Sequence, residues 1–214
     1  MGTLTYTATM SLDGYAADAD GDFQWSAPGD DVFAVHVERL AEVSTEVMGR
    51  RTFELMEYWE ADPETGPDGE EWDEAEREFA RRWQRIERIV ASSTLDESRV
   101  DPARARLLRH LDLAGLQRIV DEAPGQVEIF GPTTAADAIR AGMVTDFHLF
   151  VVPMIVGGGL RALPDGVRLD LERVHERAFA SGAVHLHYRA RGAGGAHEMG
   201  APGGQAVAEP PERA

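Results

Sequence analysis

Polar threonines alternate with Leu4, Tyr6, Ala8 and Met10 at the start of the chain, and this period of two predicts a strand with one buried face. Residues 11–25, "SLDGYAADADGDFQW", are rich in Asp and Gly and predict a long loop. From about Asp31 to Val43 the pattern changes: Val32, Phe33, Val35 or His36, and Leu40 recur at spacings of three and four behind acidic residues, which predicts a helix. "TEVMGRRTFELM" then reads as a short strand, a glycine turn and a new helix. Further on, "RIERIVASSTL", "QVEIFGP" and "TDFHLFVVPMIV" predict strands, while "LAGLQRIVDEA" and "TTAADAIRAGM" predict helices. "LDLERVHERAFA" and "AVHLHYRAR" alternate and are joined by "SGA", the signal of a hairpin. Strands interleaved with helices and closed by an antiparallel hairpin predict an α/β domain with a mixed sheet.

Two segments stand outside this pattern. Residues 60–78 carry much of the negative charge with two prolines, and read as a solvated insertion ending in an exposed helix. From Gly192 onward no apolar period remains, so 192–214 is expected to be a flexible Gly/Pro-rich tail following one domain at 1–191.

Composition narrows the possible partners. The 214 residues carry a formal net charge of -17, which repels a phosphate backbone, and nucleic acid is not expected as a partner. There is no cysteine, which removes disulfides, thiolate metal sites and cysteine nucleophiles. No apolar run approaches the roughly 20 residues of a membrane span, and "MGTLTYTATM" lacks a leader's basic and apolar segments, so a cytoplasmic protein without membrane contact is expected.

Candidate chemistry lies where strands end. Gly49 and Gly131 each stand between an apolar strand and a helix, where unpaired amides and the helix dipole favour a phosphate; Arg50 and Arg51 add charge to the first. "VASST" ends another strand at Ser92 and Ser93. Together these turns predict a nucleotide site at the carboxyl edge of the sheet, built without G-x-G-x-x-G or G-x-x-x-x-G-K-[ST]. "PMIVGGG" poses a separate question, because three consecutive glycines cost order and imply that something approaches that backbone. Asp13 and Asp31 are candidate proton donors, against ordinary roles as a turn residue and a helix-start acid. Arg39 could meet a substrate phosphate or lie on a solvated helix face. His185 and His187 face the same way on a strand and, without a third ligand, read as an exposed face and not as a metal site.

Several of these stretches resemble a known family. "MSLDGYAADADGDFQW" is similar to the opening of the reductase domain of bacterial riboflavin deaminase-reductases, with its S-x-D-G and later tryptophan. "VMGRRTFELMEYW" resembles the G-R-x-T-[FY]-E segment of stand-alone relatives in the dihydrofolate reductase superfamily. "FGPTTAADAIRAGMVTDFHLFVVPMIVGGG" and "SGAVHLHYR" resemble the signatures that close such domains, and the likeness runs in order over residues 3–191. It implies a dihydrofolate reductase-like three-layer α/β/α fold, with a mostly parallel mixed sheet and a C-terminal hairpin. It also implies NADPH-dependent hydride transfer to a small heterocyclic or carbonyl substrate, and assembly as a homodimer.

Carried over by position, the resemblance puts Trp25 beside the cofactor. Gly49, Arg50, Arg51 and Thr52 would lie at a phosphate or its ribose, and Ser92 and Ser93 at the adenosine end. Gly131, Pro132, Thr133, Thr134 and Ala135 would hold the pyrophosphate, and Gly157, Gly158 and Gly159 would pass close to the nicotinamide. Phe23 and Ile129 replace a serine and a glutamate that contact substrate in the riboflavin reductases, and Phe147 replaces an acid. Glu128 adjoins Ile129 but points to the opposite face. The cofactor half is thus expected to be kept while the half that would hold a ribosylaminouracil is altered, and without cysteine these residues cannot supply the deaminase's zinc site. A true aminouracil reductase, a dihydrofolate reductase and a nucleotide-binding module without catalysis stand as alternatives.

Overall fold

A computed structural model of the chain describes residues 2–69 and 71–192. The expected tail therefore lies, from residue 193, outside the described residues. Eight strands form one sheet in the order β5-β4-β3-β6-β1-β7-β10-β9. They are β1 (Leu4–Ser11), β3 (Val43–Gly49), β4 (Glu87–Ala91), β5 (Arg106–Leu108), β6 (Gln126–Phe130), β7 (Asp146–Val152), β9 (Leu171–Ala178) and β10 (Val184–Ala190). A separate pair, β2 (Tyr15–Ala17) and β8 (Leu160–Arg161), runs antiparallel. From β5 through β7 every neighbouring pair is parallel, while β10 pairs antiparallel with both β7 and β9. This mixed, mostly parallel sheet with its C-terminal hairpin is the predicted architecture.

Alternation along β1 divides the interior in two. Leu4, Tyr6 and Ala8 share a core with Val127 and Ile129 of β6, Phe147 and Leu149 of β7, and the apolar faces of α4 (Leu113–Glu122) and α5 (Pro132–Arg140). On the opposite face Met48, Val90 and Phe130 pack against α1 (Asp30–Leu40), α2 (Arg50–Met56) and α3 (Glu74–Trp83). The result is a three-layer α/β/α domain.

Three elements differ from the sequence-based expectation. The first helix stops at Leu40, because Val43 is taken into β3, buried and in register with Gln126. The acidic insertion is anchored: Trp72 is buried, α3 begins with a capping box between Asp73 and Glu76, and Trp83 is fully enclosed with its indole N–H donating to Glu46 at 2.7 Å. Phe33, Tyr58, Trp59, Trp72 and Phe79 form a connected aromatic cluster between α1 and α3, so the acidic residues coat a packed unit. Finally, His185 is buried, not exposed; it stacks on Phe150 and lies 3.0 Å from the His148 ring nitrogen.

Candidate active site at the carboxyl edge of the sheet

Neighbouring strands β3 and β6 end in register, Met48 beside Phe130, so the glycines that follow them are brought together. Gly49 caps α2 and Gly131, at φ +98°, caps α5. Each glycine is overlaid by a threonine from the other helix. A β-carbon on Gly49 would fall 2.6 Å from Thr134 Oγ1, and one on Gly131 would fall 2.7 Å from Thr52 Oγ1. Neither helix has a side-chain cap, and Pro132 occupies a first-turn position of α5. The two uncapped helix starts are therefore adjacent, and unpaired first-turn amides at a helix start favour an anion. Arg50 is partly spent on Glu54 at 3.6 Å, whereas Arg51 is exposed and has no ion-pair partner among the described residues.

Beyond β3, Ser92 closes the turn after β4: its hydroxyl accepts from the amides of Thr94 at 3.3 Å and Leu95 at 3.0 Å. Ser93 is exposed beside it. Thr133 is exposed at the first turn of α5.

The other side of the edge is made by the loops after β1 and β7. Leu12 N–H donates to Met154 O at 2.7 Å, and the Asp13 carboxylate accepts from Val156 N at 3.2 Å and Gly157 N at 2.7 Å. Bonding from the Ser11 hydroxyl first, and from those amides, holds the Asp13 carboxyl below the usual range. Asp13 thus clamps the glycine loop through two backbone amides. The three glycines differ from one another. A β-carbon at Gly159, φ +128°, would lie 2.5 Å from Asp18 O and nearer still to Ala17 O, so this glycine serves the approach of the β2 backbone. At Gly157, φ +78°, and at Gly158 a β-carbon would meet no protein atom within 4 Å. Leu12, Met154 and Ile155 are exposed apolar side chains at this mouth, and Phe23 is exposed on the neighbouring long loop. Trp25 is half-buried and tied to its own loop by an indole bond to Asp22 O at 3.0 Å. Asp31, in the first turn of α1, accepts from Val32 N at 2.9 Å.

Three expected site residues lie elsewhere. Ile129 is 1 % exposed and faces the core under α4 and α5, away from α1. Ala135 is likewise enclosed, and its amide is spent on Gly131 O at 3.0 Å, so it has nothing to offer a pyrophosphate. Arg39 is turned inward. It pairs with Glu128 at 3.2 Å beneath α1, both side chains being 12 % exposed.

That buried pair belongs to a polar layer which the sequence reading missed. Along one line across the sheet, Arg88, Glu46, Glu128, Thr5, Asp146 and Arg189 stand in register. Beside it His148 stacks on His187 at 4.0 Å and His187 contacts Asp146 at 2.8 Å, while His36 of α1 lies 4.3 Å from the Phe150 ring. Burial, then the charge of Arg39, pulls His36 down to about 3 and His148 to about 2, and His185 to about 4. Burial, then Glu128, pushes Glu46 up to about 8. Among the described residues no helix is long and apolar enough to cross a membrane.

Comparison with known proteins agrees with this architecture. The family model described as the RibD C-terminal domain matches residues 2–185. The Bacillus subtilis (strain 168) protein YyaP, itself uncharacterized, is 23% identical over 188 residues, covering 86% of this chain and 92% of its own. Among solved structures, a protein assigned to riboflavin biosynthesis from Shewanella sp. PV-4 superposes with a TM-score of 0.68 at 18% identity, over 88% of this chain and 99% of its own. Dihydrofolate reductase from Enterococcus faecalis, complexed with NADP(H), superposes at 0.57 and 15% identity, over 89% and 97%. Match and fold agree over nearly all the described chain: it belongs to the RibD C-terminal domain family and has the dihydrofolate reductase-like fold.

Proposed function

We propose that the protein is an NADPH-dependent reductase that transfers a hydride to a small, unphosphorylated heterocyclic or carbonyl substrate. The observation that carries this reading is the pair of uncapped helix starts at Gly49 and Gly131, packed threonine over glycine, next to Arg51, which has no ion-pair partner among the described residues. These groups fit a dinucleotide: the amides of Thr133 and Thr134 would hold the pyrophosphate, Arg50, Arg51 and Thr52 a phosphate or its ribose, and Ser93 with the Ser92 turn the adenosine end. Trp25, Gly157 and Gly158 would lie along the nicotinamide, which supplies the hydride when bound. The chain's own part is to orient both reactants and exclude water, with Leu12, Met154, Ile155 and Phe23 as the apolar wall. Asp13 is committed to two amides of the glycine loop and Asp31 to one at the start of its own helix, and Asp31 is the carboxylate proposed to face substrate and relay a proton.

The employment of Arg39 supports an unphosphorylated substrate. Its charge is consumed by Glu128 in the interior, so a substrate phosphate finds no basic partner on α1. The test is NADPH oxidation with pterins, aminouracils and simple carbonyls, each cyclic substrate offered with and without a phosphate. Turnover of an unphosphorylated compound, lost in Asp31→Asn while NADPH binding persists, is expected. One observation, the structural employment of Asp13, favours a second reading as a nucleotide-binding module without catalysis; binding of NADPH with no turnover across the panel would select it.

A further inference from the structure

The segment that follows the three glycines brings a cation to the mouth of the site. Arg161 ends β8, where its backbone pairs with Tyr15 of β2. The next residue is held from both sides: Ala162 N donates to Gly14 O at 3.0 Å, and Ala162 O accepts from the buried Tyr6 hydroxyl. From this fixed backbone the side chain lies over the Tyr15 ring, its guanidinium carbon 5.1 Å from the ring centre. A β-carbon on Gly14 would stand 3.7 Å from Arg161 Nη1, which sets that nitrogen against the turn after β1. The neighbour of Gly14, Asp13, holds the amide of Gly157 at 2.7 Å. On its other flank Arg161 lines a cleft of about 190 Å³ with Pro132, Thr133 and Ala136 of α5. The side chain therefore spans from the start of α5 to the loops that carry Asp13 and Gly157.

Its charge is only lightly engaged. Among the described residues its ion-pair partner is Asp165 at 3.4 Å, and the two side chains are 50 % and 86 % exposed. An exposed pair of this kind is weak and is screened by salt. Demand for a cation at this place is high, because Pro132, Thr133, Thr134 and Ala135 bring no charge to the first turn of α5. A helix start alone offers about half an elementary charge, against a doubly negative pyrophosphate. Arg140 shares the cleft, but it lies roughly 10 Å further along α5 and pairs with Asp137 at 3.1 Å.

We infer that Arg161 binds the nicotinamide-side phosphate of the dinucleotide, exchanging Asp165 for it. This rests on the NADPH reading above, which places the pyrophosphate at Thr133 and Thr134 and the nicotinamide along Gly157 and Gly158; Arg161 stands between the two. The contact ties β8, and through Tyr15 the loop after β1, to the bound cofactor.

The full chain is titrated with NADPH by nicotinamide fluorescence and, by calorimetry, with 2′,5′-ADP, the adenosine half that lacks the nicotinamide-side phosphate. Arg161→Ala is expected to weaken NADPH binding roughly 10–100-fold, the loss of one charge-assisted contact, and to leave 2′,5′-ADP binding unchanged. Arg140→Ala removes the same charge from the far end of the cleft and is expected to change neither. Hydrogen exchange on the wild type needs no variant: the amides of residues 160–163 are expected to slow with saturating NADPH and not with 2′,5′-ADP. NADPH binding unchanged in Arg161→Ala overturns the inference while the NADPH reading stands. Equal weakening of both ligands, equal weakening of NADPH by Arg140→Ala, or unaltered exchange at 160–163 with NADPH bound overturns it as well. A wild type that binds no NADPH overturns the inference and the reading together.

Discussion

Alanine placed at each of the three loop glycines separates the reasons for their presence. At Gly158 the backbone is not left-handed and no protein atom lies within 4 Å of a new β-carbon. Alanine there stiffens the unfolded chain and is expected to raise stability by about 0.4–1 kcal/mol. Gly157 has φ +78°, which costs an alanine about 1–2 kcal/mol, partly offset by the same entropy gain, for a net loss near 1 kcal/mol. Gly159 combines φ +128° with overlap onto the Ala17 and Asp18 backbone, atoms that cannot rotate away. Its alanine is expected to cost about 2–4 kcal/mol, strain and overpacking together. In a domain of this size each kcal/mol moves the melting point by about 2–4 °C. Urea unfolding of the three variants gives the differences directly through the midpoint. NADPH titration of Gly158→Ala supplies the functional half: weaker cofactor binding without loss of stability is expected. A Gly159→Ala protein as stable as wild type, or a Gly158→Ala protein as damaged as Gly159→Ala, refutes the division of roles.

The crossed packing of the two helix starts predicts coupling. Gly49→Ala collides with Thr134, so Thr134→Ala is expected to relieve it, and a double-mutant cycle in urea is expected to show a coupling of about 1 kcal/mol or more. The imidazole layer predicts acid sensitivity. His36, His148 and His185 are all pulled below their unfolded value near 6.5, to about 3, 2 and 4, so the native state binds fewer protons than the unfolded state in that window. Stability is expected to fall as pH drops below about 6.5, by about 1 kcal/mol per pH unit for each histidine; urea midpoints at pH 7.5, 6 and 5 measure it, and a flat profile contradicts it. Glu46 has the opposite sign. Its carboxyl is pushed up to about 8, so its contribution is present at low pH and lost as pH rises from its unfolded value through 8. Glu46→Gln keeps an acceptor for the Trp83 N–H and is expected to narrow the stability gap between pH 6 and pH 9, read from the same unfolding curves.

The architecture was legible in the sequence because its signals are local. Alternation at Leu4, Tyr6 and Ala8, the helical spacing that includes Val32 and Leu40, and the Ser-Gly turn of the last hairpin each need only a few neighbouring residues. The turns at Gly49 and Gly131 could be marked for the same reason. Their interlock with Thr134 and Thr52 could not, because it depends on β3 and β6 being neighbours. Arg39 was misplaced on the same account: its partner Glu128 is 89 residues away and reaches it only through the sheet. Ile129 and Glu128 were known to face opposite ways, but which face α1 covers is a tertiary fact. β2, β5 and β8 are too short to show a period and exist by pairing. In the helix that ends the acidic insertion, Phe79 and Trp83 stand four apart just beyond residue 78, a helical signal hidden by the preceding glutamates. His148, His185 and His187 come from two strands, and only their register makes a layer.

The measurement that bears most directly on the central claim is a titration of the purified protein with NADPH and, separately, with NADH, followed by nicotinamide fluorescence and quenching of protein tryptophan. The account predicts saturable binding of NADPH, clearly tighter than NADH, and weakened in Arg51→Ala far more than in Arg85→Ala, an exposed arginine away from the edge. Absence of binding by either nucleotide, or equal binding that ignores Arg51, would contradict a cofactor site at the helix starts of Gly49 and Gly131.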